Sequence, residues 1–372
     1  MRRLWAGVAA VGILVLWTTP AHADSVRDSE WMVEALRLPE AHQIATGEGV
    51  TVGIVDTGVD STHPDLTGVV VAGKDSWSPA GDGQTDATGH GTAMASLVAG
   101  HGHGADGGDG VLGVAPGAKV ISYGAWREGD EQYDNAELEK GIRWVLDNGA
   151  DVILLAYGNG NSTPGEQALV EEALAMGIPV LTPTGNTEEG QLGVGFPGMY
   201  PDVMLVTCSN RENNYSKIGL PSPEVDFAAP CEDVVSASND HSYNSISGPS
   251  KAAAVAAGMY ALIRSRWPDI SLADMHRKIL LTAADTGSPG PDSEGGYGVL
   301  RPLDALTAAV EPADPANPPH PVGDPIYASG QPDPATEAEK TSGAPWPLIA
   351  IGSAIILIGA LILVVAIRRK RT

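Results

Sequence analysis

Short apolar runs alternate with amphipathic stretches through the middle of the chain. Residues 50–55 read as a buried strand, and residues 120–123, 152–155, 179–181 and 203–206 repeat the pattern. Between them, residues 135–146 place Leu138, Ile142, Val145 and Leu146 at helical spacing, and residues 165–176 do the same, with Gly177 as a stop signal. Strands alternating with helices predict an α/β domain, a mainly parallel sheet covered by helices on both faces. In such sheets the reactive groups sit at the carboxyl ends of strands.

The two ends follow different patterns. Arg2 and Arg3, an apolar run from Leu4 to Trp17 and Ala21-His22-Ala23 make residues 1–23 a secretory signal. Within residues 346–367, the 20 residues from 348 onward carry no charge and Ser353 as the one polar side chain, enough to cross about 30 Å of hydrocarbon as a transmembrane helix. The basic tail, residues 368–372, stays on the cytoplasmic side by the positive-inside rule. Residues 311–345 are rich in proline and acids and read as an extended stalk. What remains, residues 24–310, is the folded domain, placed outside a membrane that the chain crosses once.

Charge sharpens this picture. The 372 residues hold 46 acids against 22 Lys plus Arg, a net charge of −24. Neither terminal block contains an acid, so the exported portion is more acidic still. Nucleic acid is excluded as a partner, because its phosphates would be repelled. Phe occurs twice, so Val, Ile, Leu and Ala must build the core.

Four polar residues sit where chemistry is expected. Asp56 follows directly on the strand 50–55. His90 lies in Gly89-His90-Gly91-Thr92 at the start of an alanine-rich helix. Ser250 opens another helix behind Pro249, where a missing N–H costs nothing. Asn186 follows the strand near residue 180, where its amide could meet an oxyanion. Singly, each has a plain alternative: turn aspartate, solvated histidine, N-cap serine, turn asparagine. Together, an acid, a base and a nucleophile in Gly-rich loops, in the order Asp, His, Ser, make up a catalytic set.

With those motifs the chain resembles the subtilisin-like serine proteases (peptidase S8), over roughly residues 31–306. More narrowly it is similar to the mycosins, membrane-anchored subtilases associated with type VII secretion. The resemblance implies a three-layer subtilisin-like fold. It makes Asp56 the orienting acid, His90 the general base and Ser250 the acylated nucleophile, with Asn186 and the Ser250 N–H as the oxyanion hole. Leu155, Ala156, Tyr157 and Gly158 resemble the substrate-pairing strand, and residues 196–201 another segment of the family. In the resembled fold Cys208 and Cys231 end neighbouring strands, so a disulfide is expected in an oxidising compartment.

The sequence also departs from the family pattern. Gly248-Pro249-Ser250 replaces the usual Gly-Thr-Ser, Ala254 and Val255 replace a proline and a histidine, and Ala156 and Asn159 change the substrate strand. Lys251 suggests a Ser–Lys pair, but adjacent helical residues point about 100° apart. The seven residues 24–30 leave no room for a long prodomain. Residues 100–110 hold two His and two Asp, a conceivable metal site that reads better as a flexible surface loop; no metal and no cofactor is expected. Two functions follow: a membrane-displayed serine endopeptidase acting on peptide or protein substrates, with type VII secretion machinery as a partner, or a degenerate subtilase serving as a structural part of a secretion complex.

Overall fold

The computed structural model describes residues 26–75, 77–78, 80–127 and 134–310. The expected signal, stalk, anchor and tail lie outside the described residues. Seven strands form one sheet: β1 (Thr51–Asp56), β2 (Val70–Asp75), β3 (Lys119–Gly124), β4 (Val152–Leu154), β5 (Val180–Pro183), β6 (Met204–Ser209) and β7 (Phe227–Pro230). They lie in the order β2-β3-β1-β4-β5-β6-β7, every neighbouring pair parallel. β2 is not among the strands predicted from sequence, although the apolar run 69–72 begins it. It is an edge strand carrying Gly73 and Lys74, and its Val71 is 54% exposed.

Alternate side chains of each strand enter different cores, as a period of two demands. Val52, Ile54, Val152 and Leu154 pack on one face with α1 (His90–Ala99) and the long α4 (Pro249–Arg266). Val55, Ile121, Ile153 and Val180 pack on the other with α2 (Asn135–Asp147) and α3 (Pro164–Ala175). The caps are local. Asp134 accepts from Ala136 N–H at 2.9 Å and Thr163 from Glu166 N–H at 3.0 Å, satisfying amides that the first helical turns leave open.

Helix α4 is apolar on every side from Ala252 to Ile263 and runs through the interior against β4–β7. Its alanines bring it close to its neighbours, and Gly258 brings it closer. A Cβ there would lie 2.6 Å from Val114 Cβ. Cys208 in β6 and Cys231 just past β7 are joined by a disulfide, with Cα atoms 5.2 Å apart. A further helix, α5 (Leu272–Thr282), is not among the elements predicted from sequence; Ser271 caps it, and Met275, Ile279 and Leu280 lie on its buried face.

Residues 100–110 are not the loose loop expected. They build a two-stranded antiparallel hairpin, His101–His103 with Asp109–Leu112, whose connecting turn uses Gly104 and Gly107 at positive φ. His103 Nδ1 bonds Asp65 at 2.6 Å and His101 Nε2 bonds the Thr67 carbonyl at 3.0 Å, so both imidazoles are committed to protein partners. Among the described residues no cluster of three or more His, Cys, Asp or Glu could hold a metal ion, and no helix is long and apolar enough to cross a membrane.

Candidate active site

The chain leaves β1 for β2 and β3 on one side, then crosses to β4 on the other. The carboxyl end of β1 therefore borders the crevice where the winding reverses. Asp56 is its last residue, in register with Gly124 and fully buried. Its carboxylate accepts from the Thr57 N–H at 2.7 Å and grips His90 Nδ1 with both oxygens, at 2.8 and 2.9 Å. This leaves His90 Nε2 with no hydrogen-bond partner among the described residues.

His90 is placed by Asp86, a residue with no assigned role in the triad. One Asp86 oxygen accepts from Thr57 Oγ1 at 2.7 Å and from the Thr88 and Gly89 amides at 3.0 Å each. The other accepts from Thr92 N–H at 2.8 Å and Thr92 Oγ1 at 2.6 Å. Asp86 thus closes the first turn of α1 and ties it to the end of β1. Withdrawal of the His90 ring from water disfavours its charged form. The Asp56 carboxylate in contact, with Asp86 and Glu189 farther off, outweighs that and raises the His90 pKa above its ordinary value.

Ser250 is the second residue of α4. Its Oγ donates to the Ala156 carbonyl at 3.0 Å; no hydrogen bond joins it to His90, although both line one cleft. The reason lies in the open Ala156 oxygen just past β4, which offers the hydroxyl an acceptor. The Ser250 backbone N–H, in the first helical turn, has no partner among the described residues. Asn186 stands across from this turn. A Cβ on Gly248 would lie 3.7 Å from its Nδ2. That Nδ2 donates to Glu189 Oε1 at 3.0 Å, while the Asn186 N–H donates to Gln191 Oε1 at 2.8 Å.

Two lobes of about 200 Å³ each flank His90 and Ser250. One is lined by Ala156, Tyr157, Gly158, Trp126 and Thr184; the other by Met94, Asn244, Ile246 and Lys251. Leu155 turns its side chain away from the cleft. Its N–H pairs with the Leu181 carbonyl at 2.9 Å and its side chain is fully buried in the opposite core, as strand alternation requires. Tyr157 packs edge-on to Trp126 at 5.6 Å and donates its hydroxyl to the buried Glu166 at 3.1 Å. Asn159 pairs with Phe196 through two backbone hydrogen bonds, which joins the segment 196–201 to the cleft wall; the Phe196–Pro197 peptide is cis.

Lys251 points away from Ser250. Its Nζ donates to the Val234 carbonyl at 2.6 Å and lies 3.4 Å from Asn244 Oδ1, holding the start of α4 to the hairpin Ser236–Ala237/Tyr243–Asn244. Burial lowers its pKa to about 7, against the pull of Asp233. A larger hollow of about 450 Å³ beside Trp267 and Lys278 contains none of these groups.

A parallel sheet whose strand ends present a buried Asp bonded to a part-exposed His, beside a serine at a helix start, is the architecture of a serine peptidase. Residues 47–298 match the model of the subtilase family, Peptidase_S8. Subtilisin DY of Bacillus licheniformis is 32% identical over 243 residues, covering 65% of this chain and 86% of that protein. The structure of the serine protease MycP1, described as an essential component of the type VII (ESX-1) secretion system, superposes with a TM-score of 0.66 at 28% identity, covering 78% of this chain and 91% of that one. MycP3 protease of the type VII (ESX-3) system gives 0.65 at 28%, covering 75% and 88%. The chain belongs to the subtilase family of serine endopeptidases, and within it is related to the mycosins.

Proposed function

We propose that the chain hydrolyses peptide bonds by acyl transfer, with Asp56, His90 and Ser250 as its triad. The observation that carries this is the two-oxygen grip of Asp56 on His90 Nδ1, which turns Nε2 toward the cleft that Ser250 shares. The Ser250 hydroxyl swings from the Ala156 carbonyl to His90 Nε2, a change of one side-chain rotamer. His90 takes its proton as Oγ bonds to the scissile carbonyl carbon. The Ser250 N–H and Asn186 Nδ2 receive the negative oxygen. The intermediate collapses, His90 passes the proton to the leaving amine, and water repeats the cycle on the ester. Incubation of the full chain with a mixed peptide library, read by mass spectrometry, tests this. Products should appear with the natural chain and vanish in Ser250→Ala; equal products from both would refute it.

The chain is further proposed to be exported by residues 1–23 and held by residues 346–367, with the peptidase domain outside and raised on the stalk 311–345. Its likeness to MycP1 and MycP3 supports a place beside type VII secretion machinery. One observation favours the second reading, a structural subtilase without catalysis: Ser250 Oγ and Asn186 Nδ2 both bond away from the reacting position. On that reading no library peptide is cut.

A further inference from the structure

Glu189 belongs to no motif, yet it borders both lobes of the cleft. Its Oε1 accepts the Asn186 side-chain amide at 3.0 Å, and Gln191 Nε2 lies 3.4 Å from its Oε2. Gln191 Oε1 in turn accepts the Asn186 backbone N–H at 2.8 Å, so the loop closes on itself around the asparagine. The donor that a substrate carbonyl needs is occupied by a carboxylate. That carboxylate also puts negative charge where an oxyanion must form.

We propose that Glu189 latches Asn186 in the resting enzyme and that a basic side chain of the substrate releases it. The inference rests on the acyl-transfer reading above. A lysine or arginine side chain entering the cleft meets a carboxylate that is exposed and otherwise held by neutral amides. A charge-assisted bond to that cation replaces the Asn186–Glu189 bond, Asn186 Nδ2 turns to the scissile carbonyl, and the charge opposing the oxyanion is neutralised. Glu189 touches no reacting atom; it acts through Asn186 and is a positioning residue. Selection for basic substrates therefore enters kcat as well as KM, because the cation frees a group used in the transition state. The acidity of the whole chain works in the same direction, drawing cationic peptides toward it.

The test uses two peptides that differ by Lys against Gln beside the cleaved bond, and a neutral fluorophosphonate probe, with the full natural chain and Glu189→Gln. The natural chain should favour the Lys peptide by about tenfold or more in kcat/KM, partly in kcat, as for one charge-assisted bond. Glu189→Gln should lose that preference, cut the Gln peptide faster than the natural chain does, and react faster with the probe. A preference retained in Glu189→Gln, or a slower reaction of that variant with both the probe and the Gln peptide, overturns the latch. Probe adducts on Ser250 that form at the same rate in both chains remove the latch and leave the protease reading intact. A natural chain that forms no adduct removes both.

Discussion

Asp86→Ala should destabilise the domain by about 3–5 kcal/mol, because it strips one acceptor group from five donors. Their distances run from 2.6 to 3.0 Å. Thr88 is exposed, so water takes over its amide, and Thr57 Oγ1 keeps a 3.2 Å bond to Asp56. Gly89 and both donors of Thr92 are buried and lose their partner. Hydrogen bonds to a charged group are worth about 1.5–3 kcal/mol each, and two to three of them, discounted for the half-buried carboxylate, give the figure. Urea titration, followed by circular dichroism and tryptophan fluorescence in a Ser250→Ala background to prevent self-cleavage, measures it. Glu188→Ala, an exposed neighbour of Asn186, is the control and should stay within about 0.5 kcal/mol. The midpoint should fall with an unchanged slope. A loss below about 1 kcal/mol would show that Asp86 does not hold the start of α1, and the placement of His90 would need another cause.

Three further outcomes follow. Because the His90 pKa is raised, kcat/KM should climb with pH through a midpoint above the ordinary 6.5 or so; Asp56→Asn should lower kcat by about 10⁴, and a midpoint below 6.5 in the natural chain would contradict the Asp56–His90 coupling. Lys251 binds fewer protons folded than unfolded between about 7 and the ordinary lysine value, so the natural chain should gain stability relative to Lys251→Met as pH rises through that window; urea midpoints at pH 6 and pH 9 that differ by the same amount would refute its burial. Replacing Cys208 and Cys231 by alanine opens a bridge between residues 23 apart and should cost about 3 kcal/mol by loop entropy, read from urea midpoints of the oxidised chain; a loss under about 1 kcal/mol would show that the bridge braces nothing.

The strands that read plainly from sequence are those buried on both faces, where nothing polar interrupts the run. β1 is the clearest case, and with it came Asp56 at its carboxyl end. β2 begins in the apolar run 69–72, which then gives way to Gly73, Lys74 and Asp75, so half the strand carries no apolar signal. The Asp, His and Ser positions were legible through short motifs whose glycines and helix starts have a mechanical reason. The partners of those residues were not. Asp86 sits three residues before the N-cap Gly89, and the turn back from Gly89 to Asp86 hints at a capping role, but its bond to Thr57 depends on where β1 ends. Leu155 opens the segment that resembles the substrate-pairing strand through its backbone, and alternation sends its side chain to the opposite core. Glu189 gives no sequence signal, since an acid in an acidic turn is ordinary until the loop closes beside Asn186.

Ser250 is proposed to be a nucleophile activated by His90. Treating the folded full-length chain with a fluorophosphonate and mapping the adduct by mass spectrometry tests it most directly. One adduct is expected, on Ser250, lost in Ser250→Ala and formed far more slowly in His90→Ala. A folded chain that stays unmodified, or an adduct on another residue, would contradict it.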